Sequence, residues 1–119
     1  MADVFVSGGT GYLGTRLITA LLDRGHRVRS LARAGSERKL PARCERVLAS
    51  VLDAAAFRDA IPLGATFVHL TGTPKPAPWK ERQFRSLDLP SLRASAEAAA
   101  GRCSHFVYVS VAHPAPVMR

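Results

Sequence analysis

Acidic residues are scarce in this chain: 9 Asp and Glu stand against 17 Lys and Arg, leaving a formal net charge of +8. Lysine is scarce as well, with only Lys39, Lys75 and Lys80 present, so arginine carries the excess. A basic balance of this size admits a nucleic-acid partner. The arginines, however, spread over the whole chain with one denser region from Arg24 to Arg46, and no nucleic-acid reading motif accompanies them. A solvated basic face plus a small anionic ligand accounts for the same charge, and no nucleic-acid partner is expected. The 2 cysteines, Cys44 and Cys103, are too few for a disulfide framework or a four-ligand zinc site. His69, His105 and His113 are too scattered to complete a metal site with them, and none is expected. No apolar run approaches the roughly 18 residues of a membrane span. The start, Met1 to Val6, lacks the basic and long apolar regions of a secretory signal. Reduced thiols and no membrane partner together lead to the expectation of a cytoplasmic protein.

What is present suits one globular domain over residues 1–119. Hydrophobic residues make up 47% and charged residues 22%, and a chain of 119 residues buries one core without staples. Asp3-Val4-Phe5-Val6-Ser7 reads as a buried strand ending in glycine. Leu13, Leu17, Ile18, Leu21 and Leu22 recur at helical spacing from Tyr12 to Arg24, and Gly25 stops that helix. His26 to Arg33 alternates polar and apolar, which predicts a second strand. A polar stretch with Pro41 and one short helical turn follows. Val47 to Val51 reads as a third strand, and Asp53 caps a short helix through Ala60. Thr66 to Thr71 is a fourth strand. After a proline-rich loop (Gly72 to Pro78), a helical segment from Trp79 to Ala100 is predicted. Phe84, Leu87, Leu92, Ala96 and Ala99 or Ala100 would form its buried stripe. Pro90 kinks or restarts it, with Asp88 as a possible cap. His105 to Ser110 is a fifth strand. Such alternation predicts an α/β fold, a doubly wound parallel sheet with strand order 3-2-1-4-5.

The densest signal is Gly8-Gly9-Thr10-Gly11-Tyr12-Leu13-Gly14, read either through Gly8, Gly11 and Gly14 or through Gly9, Gly11 and Gly14. It follows a predicted strand and opens a predicted helix, the context a dinucleotide-binding turn requires. The first glycine permits the tight turn, the middle one lets a pyrophosphate approach the backbone, and the last lets helix pack on strand. Free N–H groups of the first helical turn and the helix dipole then hold phosphate charge. Arg33 stands 19 residues beyond Gly14, at the end of the second strand. A carboxylate there would bind the ribose 2′-hydroxyl of NAD, whereas an arginine fork pairs with a 2′-phosphate. With Ser36, Arg38 and Lys39 just after it, Arg33 points to NADP(H), with NAD(H) the lesser alternative.

The segment Val6 to Gly14 resembles the opening of extended and atypical short-chain dehydrogenases/reductases, the NAD-dependent epimerase/dehydratase group, whose cofactor domain is a Rossmann fold. The resemblance runs along the whole chain. It implies that Gly8, Thr10, Gly11, Tyr12, Leu13 and Gly14 hold the cofactor, Tyr12 and Leu13 through their backbones. It implies that Leu70, Thr71 and Gly72 lie beside the ribose and nicotinamide, and that Ser50 and Val51 border the adenine. Relatives often carry Gly-Asp where this chain has Ala49-Ser50, so no carboxylate is expected at the adenine. Phe106 to Ser110 is similar to the family's fifth strand, which implies that Ser110 is the serine of its Ser-Tyr-Lys centre.

That centre's Tyr-x-x-x-Lys would follow some tens of residues after the serine. The chain runs nine residues past Ser110, and four positions after Tyr12 and Tyr108 stand Arg16 and Ala112. Hydride transfer to a carbonyl needs a proton donor, and a serine alone is a poor acid. The expectation is therefore an NADP(H)-binding, oxidoreductase- or epimerase-type domain that is not catalytically complete and ends before the sixth strand and substrate domain. Its partners would be the dinucleotide and an unidentified small-molecule substrate. The alternative is a non-catalytic NADP(H)-sensing or protein-interaction module, similar to relatives of nitrogen-metabolite repressors. His69 reads as a packed core histidine. Trp79 reads equally as a wall of a substrate cleft or as a packed surface-loop aromatic. The fifth strand is left as a sheet edge, a possible site of homodimerisation.

Overall fold

Five short strands lie side by side in a computed structural model of the chain, which describes residues 2–70 and 89–109. They are β1 (Asp3–Ser7), β2 (Arg27–Ala32), β3 (Glu45–Leu48), β4 (Thr66–His69) and β5 (His105–Tyr108). All pair in parallel, in the order β3-β2-β1-β4-β5, which is the expected doubly wound arrangement. Helix α1 (Tyr12–Asp23) follows β1, the short α2 (Ala54–Phe57) follows β3, and α3 (Leu89–Ala99) precedes β5. Glu37–Lys39 and Arg58–Ala60 form single 3₁₀ turns. Among the described residues no helix is long and apolar enough to cross a membrane.

The period-2 alternation of the strands divides the core in two. Val4 and Val6 of β1 pack with Ile18 of α1, Val28, Ala32, Leu40, Cys44 and Val68. Phe5 points the other way and packs with Leu31, Phe57, Ile61, Phe67, Ala98 and Ala99, under α2 and α3. Both faces of the inner strands are thereby covered, as a parallel sheet requires. On the second face the rings run in a row. Phe5 lies 6.0 Å from Phe57 and 5.3 Å from Phe67, which lies 5.3 Å from Phe106.

Local chemistry sets the helix ends. At the C-terminus of α1, Gly25 has φ +88°, its N–H donates to Leu22 O at 3.0 Å, and His26 N–H donates to Leu21 O at 3.1 Å. These two bonds make a Schellman cap. Asp53 caps α2, its Oδ1 accepting from Ala56 N–H at 3.3 Å.

The structure corrects several expectations, among them that β4 ends at His69 and β5 at Tyr108, leaving Leu70 and Val109 outside the strands. The third strand lies at Glu45–Leu48 and not at Val47 to Val51. Its ladder reaches the last residue of β2 when Leu48 pairs with Ala32, and the chain then turns at Ser50, whose carbonyl accepts from Asp53 N–H at 3.1 Å. The second strand is a residue shorter at each end, leaving His26 and Arg33 outside it. The buried stripe of α3 is Ser91, Ala94, Ser95, Ala98 and Ala99, while Ala96 is exposed. Small side chains seat that helix closely on the sheet, and of its two buried serines Ser95 places Oγ 3.1 Å from His69 Nδ1. Thr71 and Ser110, expected as strand ends, and Trp79 to Asp88, expected as helix, lie outside the described residues.

Cys44 is buried in the core beside α1, and burial pushes its thiol up from 9.0 to about 11. A thiol that ionises later in the folded chain stabilises that chain fully below pH 9, and the contribution is lost as pH rises towards 11. Cys44→Val should therefore flatten the alkaline loss of stability between pH 9 and 11, read by urea denaturation at a series of pH values.

Candidate functional site

Because all strands are parallel, their C-terminal ends share one edge of the sheet, where ligands bind in open α/β folds. Four connections meet that edge: the glycine turn after β1, the segment after β2, the turn after β3 and the residues after β4. The β1–β2 register pairs Val6 with Ser30, so Arg33 stands on the neighbouring strand's exit at the level of the glycine turn.

Within the turn, three of the four glycines answer to constraints of the chain itself. Gly8 has φ +87°, a conformation that side chains disfavour. A Cβ on Gly9 would run into Ser30 Oγ and come within 2.7 Å of Ile18 Cδ1. A Cβ on Gly14 would run into the carbonyl of Gly8 and come within 2.7 Å of Gly9 Cα. Gly11 differs from these. Its backbone is extended (φ −80°, ψ 177°), and a Cβ there would meet only Gly8 O at 3.6 Å, an ordinary contact. The protein's own packing therefore requires no glycine at position 11. Gly9, the first glycine of one of the two motif readings, is a packing residue whose need becomes visible only when Ser30 is placed beside it.

Gly11 is also the N-cap of α1, which has no side-chain cap and no acidic residue in its first turn. The N–H groups that open the helix, those of Tyr12, Leu13 and Gly14, carry its positive dipole end uncompensated. The Tyr12 and Leu13 side chains point outward, 75% and 52% exposed, so their backbones and not their side chains form the turn's inner wall. The Arg16 guanidinium stacks over the Tyr12 ring at 3.8 Å, a pairing that i, i+4 spacing explains once the helix start is known.

After β2, Ser36 N–H donates to Arg33 O at 2.9 Å, with Gly35 at φ +92° inside the turn. Gly35 N–H donates to Glu37 Oε2 at 2.8 Å. Arg33 is exposed, and its guanidinium makes no ion pair among the described residues. Ser36 precedes the 3₁₀ turn that carries Arg38 and Lys39, both exposed, and its carbonyl accepts from Lys39 N–H at 3.0 Å. After β3, Ser50 Oγ accepts from Leu52 N–H at 3.1 Å, and Val51 is half-buried beside the second core. After β4, Leu70 N–H donates to Ser7 O at 2.8 Å, holding Leu70 next to the start of the glycine turn. Thr71, Gly72, Trp79 and Ser110 lie outside the described residues.

Beneath the edge lies the expected packed core histidine, with serine partners that the sequence did not announce. His69, fully buried, places Nδ1 2.6 Å from Ser7 Oγ and 3.1 Å from Ser95 Oγ, and its ring stacks 5.7 Å from Tyr108. The last residue of β1, the last of β4 and helix α3 are thereby tied together. Among the described residues no three His, Cys, Asp or Glu side chains gather as a metal site would need.

Substitution separates these glycines. Gly9→Ala and Gly14→Ala should each cost about 1–3 kcal/mol, the range for forcing an extra carbon into a packed interior. Gly11→Ala should stay within about 1 kcal/mol of the parent, because the weaker cap and the stiffer unfolded chain offset each other. Urea denaturation of the three variants checks both statements.

Comparison with known proteins agrees with this geometry. The model of a family described as NAD(P)H-binding matches residues 8–116. A 3 beta-hydroxysteroid dehydrogenase/Delta 5-->4-isomerase of Mycobacterium tuberculosis is 56% identical over 36 residues, 30% of this chain and 10% of that protein. A short-chain dehydrogenase/reductase superfamily protein from Agrobacterium tumefaciens, solved with bound NAD, superposes with a TM-score of 0.69 at 25% identity, covering 91% of this chain and 32% of the other. The fold is shared with UDP-N-acetylglucosamine 4-epimerase from Bacillus cereus (TM-score 0.73, 19% identity, 93% of this chain and 39% of that one). The chain thus spans about a third of the length of the solved relatives it matches. With nearly its whole length matched, the chain belongs to the NAD(P)H-binding family, on the fold of the short-chain dehydrogenase/reductase and NAD-dependent epimerase superfamily.

Proposed function

We propose that this chain is the NADP(H)-preferring cofactor domain of an oxidoreductase- or epimerase-type protein of that superfamily. The observation that carries the preference is Arg33: an exposed guanidinium without an ion-pair partner among the described residues, at the exit of β2, level with the glycine turn. In this reading Gly8, Thr10, Gly11, Tyr12, Leu13 and Gly14 hold the diphosphate. The opened space at Gly11 and the uncapped N–H groups of α1 support that placement. Arg33 and Ser36 hold the 2′-phosphate, with Arg38 and Lys39 adding charge. Ser50 and Val51 border the adenine, and Leu70, Thr71 and Gly72 border the ribose and nicotinamide. A bound nicotinamide supplies a donor or acceptor of hydride for a small carbonyl or sugar substrate. Ser110 hydrogen-bonds the substrate oxygen and leaves the proton to a stronger acid.

A second reading is an NADP(H)-sensing or protein-interaction module without turnover. A constant NADPH level in the presence of a carbonyl panel supports the sensor, and consumption supports the reductase. The free thiols Cys44 and Cys103 favour a reducing cytosol as the compartment.

Fluorescence titration with NADPH and NADH tests the cofactor assignment. Arg33→Ala should weaken NADPH by about 1–3 kcal/mol, the weight of charged hydrogen bonds, and leave NADH nearly unchanged. Equal losses for both nucleotides remove the 2′-phosphate assignment. Gly11→Ala should lose both nucleotides while keeping its fold, since its new methyl occupies the diphosphate's approach.

Strand β5 pairs only with β4 among the described residues, and Phe106, Val107 and Tyr108 on it are exposed. We infer that a second copy pairs at this edge. Sedimentation should show a dimer whose fraction grows with concentration, and a monomer throughout would discard the idea.

A further inference from the structure

The segment that carries Arg33, Ser36, Arg38 and Lys39 has little regular structure of its own, only the 3₁₀ turn at Glu37–Lys39. Loops of that kind are normally the mobile part of a fold. This one is anchored. Leu40 and Cys44 dip into the core beside α1. Arg43 reaches Asp23 at the end of α1, Nη2 to Oδ1 2.8 Å. The third anchor is Arg46, one residue into β3. Its Nε donates to Glu37 O at 3.0 Å, its Nη2 to Leu40 O at 2.9 Å and its Nη1 to Cys44 O at 2.7 Å. One planar fork thus spans both ends of the 3₁₀ turn and the start of β3. Arg46 has no carboxylate partner among the described residues, and each of its three guanidinium nitrogens donates to a carbonyl of the loop or its junction with β3.

We propose that Arg46 is the positioning residue of the 2′-phosphate subsite. It sets selectivity between 2′-phosphorylated and 2′-hydroxyl nucleotides without touching either. The inference rests on the assignment of Arg33, Ser36, Arg38 and Lys39 to that phosphate. Holding the loop in place in the free protein lowers the ordering cost that binding would otherwise bear, and only the subsite on this loop gains from it. The diphosphate turn has its own anchors at Gly8, Gly9 and Gly14 and is independent of Arg46. Lysine cannot replace the fork. Its ammonium is a single point on a flexible stem and cannot reach three divergent carbonyls at once.

That difference supplies the test. Arg46→Lys keeps the positive charge and removes the fork, and Arg46→Met removes both while keeping the apolar stem. Each is titrated with NADPH and with NADH, beside the parent and Arg33→Ala, and melted thermally. Both variants should lower the ratio of NADPH to NADH affinity about tenfold, roughly the weight of one charged hydrogen bond, while still folded at the assay temperature. An Arg46→Lys protein that keeps the parent's ratio shows that charge alone matters and overturns the proposal. Parallel loss of both nucleotides, or a protein unfolded at the assay temperature in both variants, makes Arg46 a residue of the fold and also overturns it. A parent without preference for NADPH refutes the Arg33 assignment and this inference together. A parent that prefers NADPH, with the preference lost in Arg33→Ala but kept in both Arg46 variants, refutes this inference alone.

Discussion

Where β1 turns into α1, the space that side chains on Gly9 and Gly14 would need is already taken. The carbonyl of Gly8 and the Cα of Gly9 fill the place where a side chain on Gly14 would go, and Ser30 and Ile18 fill the place where one on Gly9 would go. This steric constraint brings the start of α1 down onto the end of β1. It thereby fixes where the helix's unpaired N–H groups stand relative to the sheet edge. The neighbouring connections take their places from the same frame: the β2 exit through the Val6–Ser30 register, and Leu70 through its bond to Ser7.

The two cores serve that frame differently. The core beside α1 is aliphatic and includes Leu40 and Cys44, so it also seats the loop carrying Arg33. The core under α2 and α3 is aromatic, with a row of rings from Phe57 through Phe5 and Phe67 to Phe106. Near the sheet edge that row gives way to the hydrogen-bonded His69, Ser7 and Ser95. The two hydrogen bonds to His69 Nδ1 demand a definite arrangement of β1, β4 and α3.

Much of the fold was legible in the sequence, because hydrophobic period and glycine position report directly on backbone geometry. The alternation of strands and helices, the parallel order, the stop at Gly25 and the cap at Asp53 all follow from local chemistry. What was not legible depends on neighbours. The end of β3 is decided by where β2 runs out, which no property of Ala49 to Val51 reveals. The buried face of α3 contains Ser91 and Ser95 and excludes Ala96, because packing distance and a buried histidine outweigh hydropathy there. The glycine motif admitted two readings, and backbone and packing require Gly8, Gly9 and Gly14 but not Gly11, a difference visible only once the turn is folded. Arg46 looked like one more surface arginine, since its three carbonyl partners are brought together only by the turn at Glu37–Lys39.

The strand order has a consequence for how the chain is made. β1 occupies the middle of the sheet, yet its partner on one side, β4, comes much later: Ser7 and His69, which meet across that pairing, are 62 residues apart. At ribosomal speeds of about 5–20 residues per second, the central strand waits on the order of several seconds with one flank bare. Until Thr66 to His69 emerges, nascent β1 keeps the backbone N–H and C=O groups of that flank unpaired.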